Sequence, residues 1–318
     1  LPAHRPATSV GSFPPHSENR FSESENHVTL LIGTLDEKGR IMVEWHLYVP
    51  QSRMGIDDLV LRARTAEASN FDGVAFLDHL ETPMAPDNPI WEAMTIATWV
   101  AAHTERLRIG HLVLCDPFRS PAVLAKQAVT LAEASGGRFD LGLGSGSMPD
   151  ELAKFGFGTA TGVQRVTALE QTLIALKGYW DGAQQPVPSQ PIPVLLGGRG
   201  PRMLELVRQY ADWWNLPATY VGDLPKLLPA IGTAHASVQQ MVGFIGKDAD
   251  AQAVADKYRR RWGHLGAGLV CGHADELIEY FATLRDQGAQ RFYVWFADFG
   301  APESIAEFGE SVIGEFAS

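Results

Sequence analysis

Residues 137–147, Gly-Arg-Phe-Asp-Leu-Gly-Leu-Gly-Ser-Gly-Ser, constrain this chain more than any other stretch. Apolar and β-favouring positions run straight into alternating glycines. A buried strand that ends in Gly-x-Gly-x-Gly exposes bare backbone N–H groups at a tight turn, where they can approach a phosphate. A second strand ends the same way, at Ile192-Pro-Val-Leu-Leu followed by Gly197, Gly198, Arg199 and Gly200. Two such ends in one chain point to one phosphorylated cofactor held from two sides. The competing reading is that each run is only a tight turn between strand and helix, where glycine serves the backbone alone.

Around these runs, strand and helix patterns alternate. Strands are expected at Val43–Val49, Gly73–Leu77, Leu107–Leu114, Phe139–Leu143, Pro193–Leu196, Asp212–Leu216, Gln240–Ile245 and Arg291–Ala297. Helices are expected at Asp57–Ser69, Pro121–Ala134, Val163–Trp180, Pro201–Tyr210, Leu224–Ala234, Ala249–Trp262, Asp275–Gln287 and Pro302–Phe316. Alternation of this kind makes a parallel sheet covered by helices, and eight units fit a closed α/β barrel, the (β/α)8 or TIM barrel. An open doubly wound sheet is the competing architecture. A dinucleotide fold fits poorly: Gly142-x-Gly144-x-Gly146 lacks the glycine at the required offset, and no Walker lysine follows.

Residues 42–318 are therefore expected to form one barrel domain. Residues 1–41, rich in Pro, Ser, His and Glu, read as a disordered extension that folding does not need, with a short strand conceivable at Val28–Leu35. The formal net charge of −11 argues against a nucleic-acid partner. No apolar run reaches the roughly 18 residues of a membrane span. Cys115 and Cys271 make neither a disulfide framework nor a metal quartet, so a reducing cytoplasm is the simplest compartment.

Barrel enzymes carry their chemistry where the strands end. In the first strand, the period of two puts Val43, Trp45, Leu47 and Val49 toward the helices and Glu44, His46 and Tyr48 toward the barrel axis, with Tyr48 nearest the mouth. The second strand ends in Asp78-His79, an acid and an imidazole suited to proton transfer, or else a loop held by hydrogen bonds. His111 and Asp116 lie near the end of the third. With His46, Asp78 and His79 they could be read as metal ligands, the alternative of a metal-dependent TIM-barrel hydrolase, although no helical histidine spacing supports it. Arg199 and helix N-terminal amides could bind phosphate oxygens. The tryptophans read as packing residues.

The string Thr104-Glu-Arg-Leu-Arg-Ile-Gly110, Arg119-Ser-Pro121, Ser135-Gly-Gly-Arg138-Phe-Asp-Leu-Gly142-Leu-Gly144-Ser-Gly146, Gly197-Gly198 and Tyr210-Ala-Asp212-Trp-Trp-Asn215 resembles the luciferase-like monooxygenase superfamily, over roughly Met42 to Phe316. The resemblance implies a (β/α)8 oxidoreductase that uses coenzyme F420 first and FMN second. In the FMN case the enzyme would be a monooxygenase using reduced flavin and O2. It implies a cofactor site at Asp78, His79, Leu112, Val113, Gly144, Ser145, Gly146, Ser147, Gly197, Gly198, Arg199 and Gly200. Asp78 and His79 are the catalytic candidates, and a cis peptide at Leu112–Val113 supports the ring. Tyr48, Met148, Phe155 and Phe157 would shape the substrate pocket. Ser147 stands where relatives of the F420 branch often carry a glutamate, and Glu151 is the candidate to substitute for it. Expected partners are a small-molecule substrate, a second copy in a homodimer and, for a diffusible cofactor, a separate flavin or F420 reductase. A barrel that binds flavin without turnover is a non-catalytic alternative.

Overall fold

The computed structural model describes residues 42–247 and 249–316. The extension expected over residues 1–41, with its strand at Val28–Leu35, lies outside the described residues. Ten strands follow in chain order: β1 (Glu44–Tyr48), β2 (Gly73–Phe76), β3 (Arg108–His111), β4 (Leu114–Cys115), β5 (Phe139–Gly144), β6 (Val194–Gly197), β7 (Trp213–Pro217), β8 (His235–Phe244), β9 (Leu269–Gly272) and β10 (Ala289–Phe296). Eight of them run in the order β10-β1-β2-β3-β5-β6-β7-β8, and β8 pairs back to β10, so the parallel sheet closes into a barrel.

The helices are α1 (Ile56–Ala68), α2 (Ala93–Ala101), α3 (Pro121–Ala134), α4 (Pro149–Lys154), α5 (Gly162–Gly178), α6 (Pro201–Tyr210), α7 (Leu224–Leu227), α8 (Ala251–Trp262), α9 (Ala274–Asp286), α10 (Pro302–Phe308) and α11 (Gly314–Phe316). Local signals explain several ends. Thr161 accepts from the Gln164 amide to start α5, and the Gln164 side chain reaches back to Thr161, a capping box. Ser120 precedes Pro121 at the start of α3, yet its side chain makes no capping hydrogen bond.

Several expectations need correction. The helix expected over Leu224–Ala234 is one turn, α7, set between 3-10 turns. Pro229 explains the break, because a proline inside a helix removes a hydrogen bond and clashes with the carbonyl four residues back. The seventh strand begins at His235 rather than Gln240. Its first half carries Ser237 and Gln239 toward the barrel axis, where Ser237 Oγ donates to Trp214 O at 3.0 Å. Polar residues on an inward face hide a strand from a hydrophobicity reading. The expected third strand is two pieces, β3 and β4, interrupted at Leu112–Val113. That peptide bond is cis, as the resemblance implied. Helix α2 and the short strand β9, which pairs with the far end of β8, had no counterpart in the sequence reading.

The first strand divides as its alternation predicts. Trp45, Leu47 and Val49 join the large apolar layer between barrel and helices, and Trp45 packs edge-on against Phe281 and Phe308. Tyr48 joins a small inner cluster with Ala75, Leu77, Leu112, Leu195 and Tyr293. Below it, near the strand starts, the barrel is plugged by charge. The Arg291 guanidinium is buried, donating to Asp140 Oδ2 at 3.0 Å and to Glu44 Oε2 at 2.8 Å, and it lies 3.7 Å from the Trp213 ring. Arg108 also pairs with Asp140. Burial alone would raise the Glu44 carboxyl, but the hydrogen bond from His46 and the charge of Arg291 hold it down at about 2. His46 is pushed down to about 4 by burial and by Arg291.

Glycines decide how closely β3 and β5 approach. A Cβ on Gly142 would meet His111 O at 1.9 Å, and one on Gly144 would meet Val113 Cγ2 at 2.6 Å. Gly144→Ala should therefore destabilise the fold by about 1–3 kcal/mol, and Val113→Ala in the same chain should recover part of that loss. Denaturant melts of the double-mutant cycle check this; strictly additive effects would show that the two side chains do not meet.

His46 and His111 are both buried with folded values near 4 against an ordinary 6.5. The unfolded chain then binds more protons than the folded one between those values, so stability should fall as pH drops from about 6.5 to 4 and flatten below, as far as these two groups act. Melting temperatures across that range test it, and His46→Gln should shallow the slope.

Candidate active site

A cavity of about 330 Å³ opens at the strand ends. Asp78, His79, Leu112, Val113, Gly144, Ser145, Gly146, Ser147, Gly197, Gly198, Tyr48 and Met148 all line it. The fold thus brings most of the sequence-derived site residues together. Four do not line it. Arg199 stacks 3.8 Å from the Tyr220 ring, facing Asp223 at 3.9 Å, and Gly200 begins α6. Phe155 and Phe157 are exposed, and Phe157 packs on Phe118 with ring centroids 4.8 Å apart. The short helix α4 turns their loop away from the cavity and leaves Leu152 in their place.

Asp78 is held inside the loop after β2 by two donors. Its Oδ1 accepts from Arg119 Nη2 at 2.7 Å and its Oδ2 from the Cys115 amide at 2.8 Å. Arg119 also reaches Glu92 Oε1 at 3.1 Å. Both Asp78 oxygens are thereby occupied, and the pair's freer member is His79. Its Nδ1 lies 2.8 Å from Glu151 Oε2. Glu151 Oε1 accepts from the amides of Leu80 at 2.7 Å and Glu81 at 3.2 Å. A carboxylate only accepts, so His79 donates from Nδ1, and in the neutral ring this leaves Nε2 as the acceptor. Glu151 sits on α4, and the Lys154–Glu81 ion pair ties the same two loops a second time. Gln51 braces the loop from the other side, accepting from the Leu77 amide at 3.1 Å and donating to Leu77 O at 2.5 Å.

The remaining polar lining is Ser145, Ser147, Asn215 and Gln239, with no lysine or arginine. Arg165 stands behind the first glycine run, donating to Ser145 O at 3.1 Å. Gly146 and Gly198 have φ of +82° and +110°, which only glycine adopts freely. Burial pushes the Cys115 thiol up to about 12, so it is an inert part of the wall. Burial likewise raises the Tyr48 phenol.

Sequence reasoning missed Asn215, Gln239, Leu152 and Met203 in the lining. Asn215 had a signal, its place at a strand end after Trp213-Trp214; the others come from registers and loop paths that only folding sets. His46, Asp78, His79, His111 and Asp116 are not gathered into a ligand set. His46 faces Glu44 at 3.3 Å on the barrel floor, and His111 faces Ala93 O at 3.2 Å. Among the described residues no three such side chains are placed to hold a metal ion.

The barrel fold recurs in known proteins. Residues 40–223 match the luciferase-like monooxygenase family. The chain belongs to this family. It is 27% identical over 265 residues to an F420-dependent glucose-6-phosphate dehydrogenase of Amycolatopsis mediterranei, covering 74% of this chain and 78% of that protein. It is 27% identical over 216 residues to the F420-dependent hydroxymycolic acid dehydrogenase of Mycobacterium tuberculosis, covering 62% of this chain and 59% of that one. Its fold is like that of an F420-dependent secondary alcohol dehydrogenase, with a TM-score of 0.75 at 16% identity, over 86% of this chain and 99% of the other. Family members of this kind are F420- or flavin-dependent oxidoreductases. Among the described residues no helix is long and apolar enough to cross a membrane.

Glu151→Gln should reverse the His79 tautomer. The new amide group can still accept from Leu80 and Glu81 but must donate to Nδ1, which moves the imidazole proton to Nε2. Ring nitrogen shifts of histidine-labelled protein, without any ligand, read this directly; identical shifts in parent and variant would show that Glu151 does not set the tautomer. Glu151→Ala should cost about 1–3 kcal/mol of stability, because the Leu80 and Glu81 amides and the His79 ring lose a charged acceptor.

Proposed function

We propose that this protein is an F420-dependent oxidoreductase that moves a hydride between the deazaflavin and a small organic substrate. The observation that carries the reading is His79, held by Glu151 through Nδ1 at the edge of a glycine-walled cavity. The residues present fit the group. Leu112, Val113 and Leu114 offer an apolar wall for a flat ring, and the Gly144–Ser147 and Gly197–Gly198 backbones offer amides to a phosphate at the start of α6. A cavity without lysine or arginine must bind phosphate through such amides and the Ser145 and Ser147 hydroxyls. Arg199, half-exposed on Tyr220, is then a rim residue.

The bound cofactor supplies the carbon centre that takes or gives the hydride. The chain supplies position and the proton. His79 Nε2 accepts the hydroxyl proton when the substrate is oxidised and returns it in the reverse direction. Glu151 compensates the imidazolium that forms. Ser147 cannot act as an acid in the manner of a glutamate, and the Glu151 oxygens are engaged by Leu80, Glu81 and His79. Glu151 therefore works through His79 rather than as a separate donor. Asp78 keeps the loop and the Cys115 segment in register through its bonds to Arg119 and the Cys115 amide. The free thiols of Cys115 and Cys271 support a reducing cytoplasm as the place of reaction.

Fluorescence titration of the pure protein with F420 and with FMN tests the assignment. F420 should bind more tightly; preferential binding of FMN would overturn it in favour of a flavin monooxygenase. With a turned-over substrate, His79→Ala should lower kcat by about 10²–10⁴-fold while F420 affinity changes far less. Parental turnover in that variant would remove His79 from proton transfer.

A further inference from the structure

A second compartment of about 280 Å³ lies at the barrel mouth, and Leu77 lines both it and the glycine-walled cavity. Its sides are aromatic. Trp262 and Trp295 meet edge-on with centroids 5.5 Å apart, and Trp262 and Phe299 do so at 5.9 Å. Its charge is opposite to that of its neighbour. The cavity with His79 is lined by Asp78 and Glu151 and by no arginine or lysine, whereas this compartment is lined by Arg53, Arg261 and His264 and by no acid. Among the described residues neither Arg53 nor Arg261 has a carboxylate partner. The Arg261 guanidinium instead lies 4.4 Å from the Phe299 ring centroid.

Backbone strain marks the same place. Four described residues other than glycine have positive φ, and three of them, Arg53 at +63°, Met84 at +59° and Phe299 at +68°, line this compartment. Side chains other than glycine avoid that region, and residues held there gather at ligand clamps.

We infer that the aromatic compartment between Arg53 and Arg261 binds an organic anion with a flat apolar body, and that this anion is the substrate of the adjoining site. The aromatic walls take the body and the arginines take the carboxylate or a similar anionic group. The role as substrate, though not the anion binding itself, rests on the reading of the adjoining cavity as the F420 site.

Calorimetry with naphthalene-carboxylate and the neutral naphthalene-methanol, on protein with and without saturating F420, tests this. The carboxylate should bind at least about 10-fold more tightly than the alcohol, as charge-assisted hydrogen bonds require. Arg53→Gln and Arg261→Gln should each bring the two affinities closer together. Both residues are exposed, so thermal melts should match the parent. F420 should not displace the carboxylate. Equal affinity for both probes, no binding of the carboxylate, displacement by F420, or indifference to both substitutions would each overturn the inference. Arginine-dependent binding in a protein that ignores F420 would keep the anion site and remove the cofactor reading. F420 binding without carboxylate binding would remove the anion site alone.

Discussion

Val113 occupies a hollow that three glycines leave open. Its methyls lie 3.5 Å from where a Cβ of Gly142 would be, 2.6 Å from that of Gly144 and 3.7 Å from that of Gly197. The third barrel strand breaks at this point, ending as β3 at His111 and resuming as β4 at Leu114. Leu112 and Val113 thereby leave the ladder and become a wall of the cavity. A Cβ at Gly142 would collide with the His111 carbonyl and one at Gly144 with Val113, whereas one at Gly197 would sit in ordinary contact with Val113. The glycine runs therefore have two tasks. Gly144 makes room for Val113 and Gly142 for the His111 carbonyl, while Gly146 and Gly198, with positive φ, turn the chain toward the following helices.

The opposite end of the barrel is shut by charge. Arg291, Asp140, Glu44 and Arg108 form a cluster in which Arg291 meets both carboxylates, Arg108 meets Asp140, and the buried Asp140 is held by both guanidiniums. Such clusters add little net stability compared with well-packed apolar residues, because desolvation offsets the attraction. Removing one member, however, leaves an uncompensated buried charge, so the cluster fixes register where the strands begin. With the floor filled, the mouth is left as the place for a ligand, in keeping with barrel enzymes generally.

At the mouth, Glu151 joins two loops that are distant in sequence. It sets the imidazole of His79 and satisfies two amides of the loop after β2, all from a helix of six residues. The orientation of this imidazole therefore depends on how the loop after β5 folds. Arg138 plays a comparable part on the floor side, donating to the carbonyls of Ala101, Leu107 and Ser135. That accounts physically for a residue of the Gly-Gly-Arg string that never approaches the cavity.

The barrel was legible in the sequence because its signal is periodic and repeated. Trp45, Leu47 and Val49 alternate with His46 and Tyr48, glycines stop the strands, and helices of three or four turns follow. The glycine runs and the Asp78-His79 step were legible because strand ends are where such residues gather. Strand β8 was misplaced because Ser237 and Gln239 face a polar interior, and the helix over Leu224–Ala234 failed at Pro229. Which of Asp78 and His79 is free could not be read from adjacent letters. Arg119 claims Asp78 from 41 residues away and Glu151 claims His79 from 72 residues away. Composition and periodicity specify strands, helices and the end of the barrel that carries chemistry, since these depend on local backbone preference and on which face is apolar. The tautomer of His79, the room for Val113 and the opposite charge of the two compartments arise from contacts between distant segments, and only the closed barrel brings those segments together.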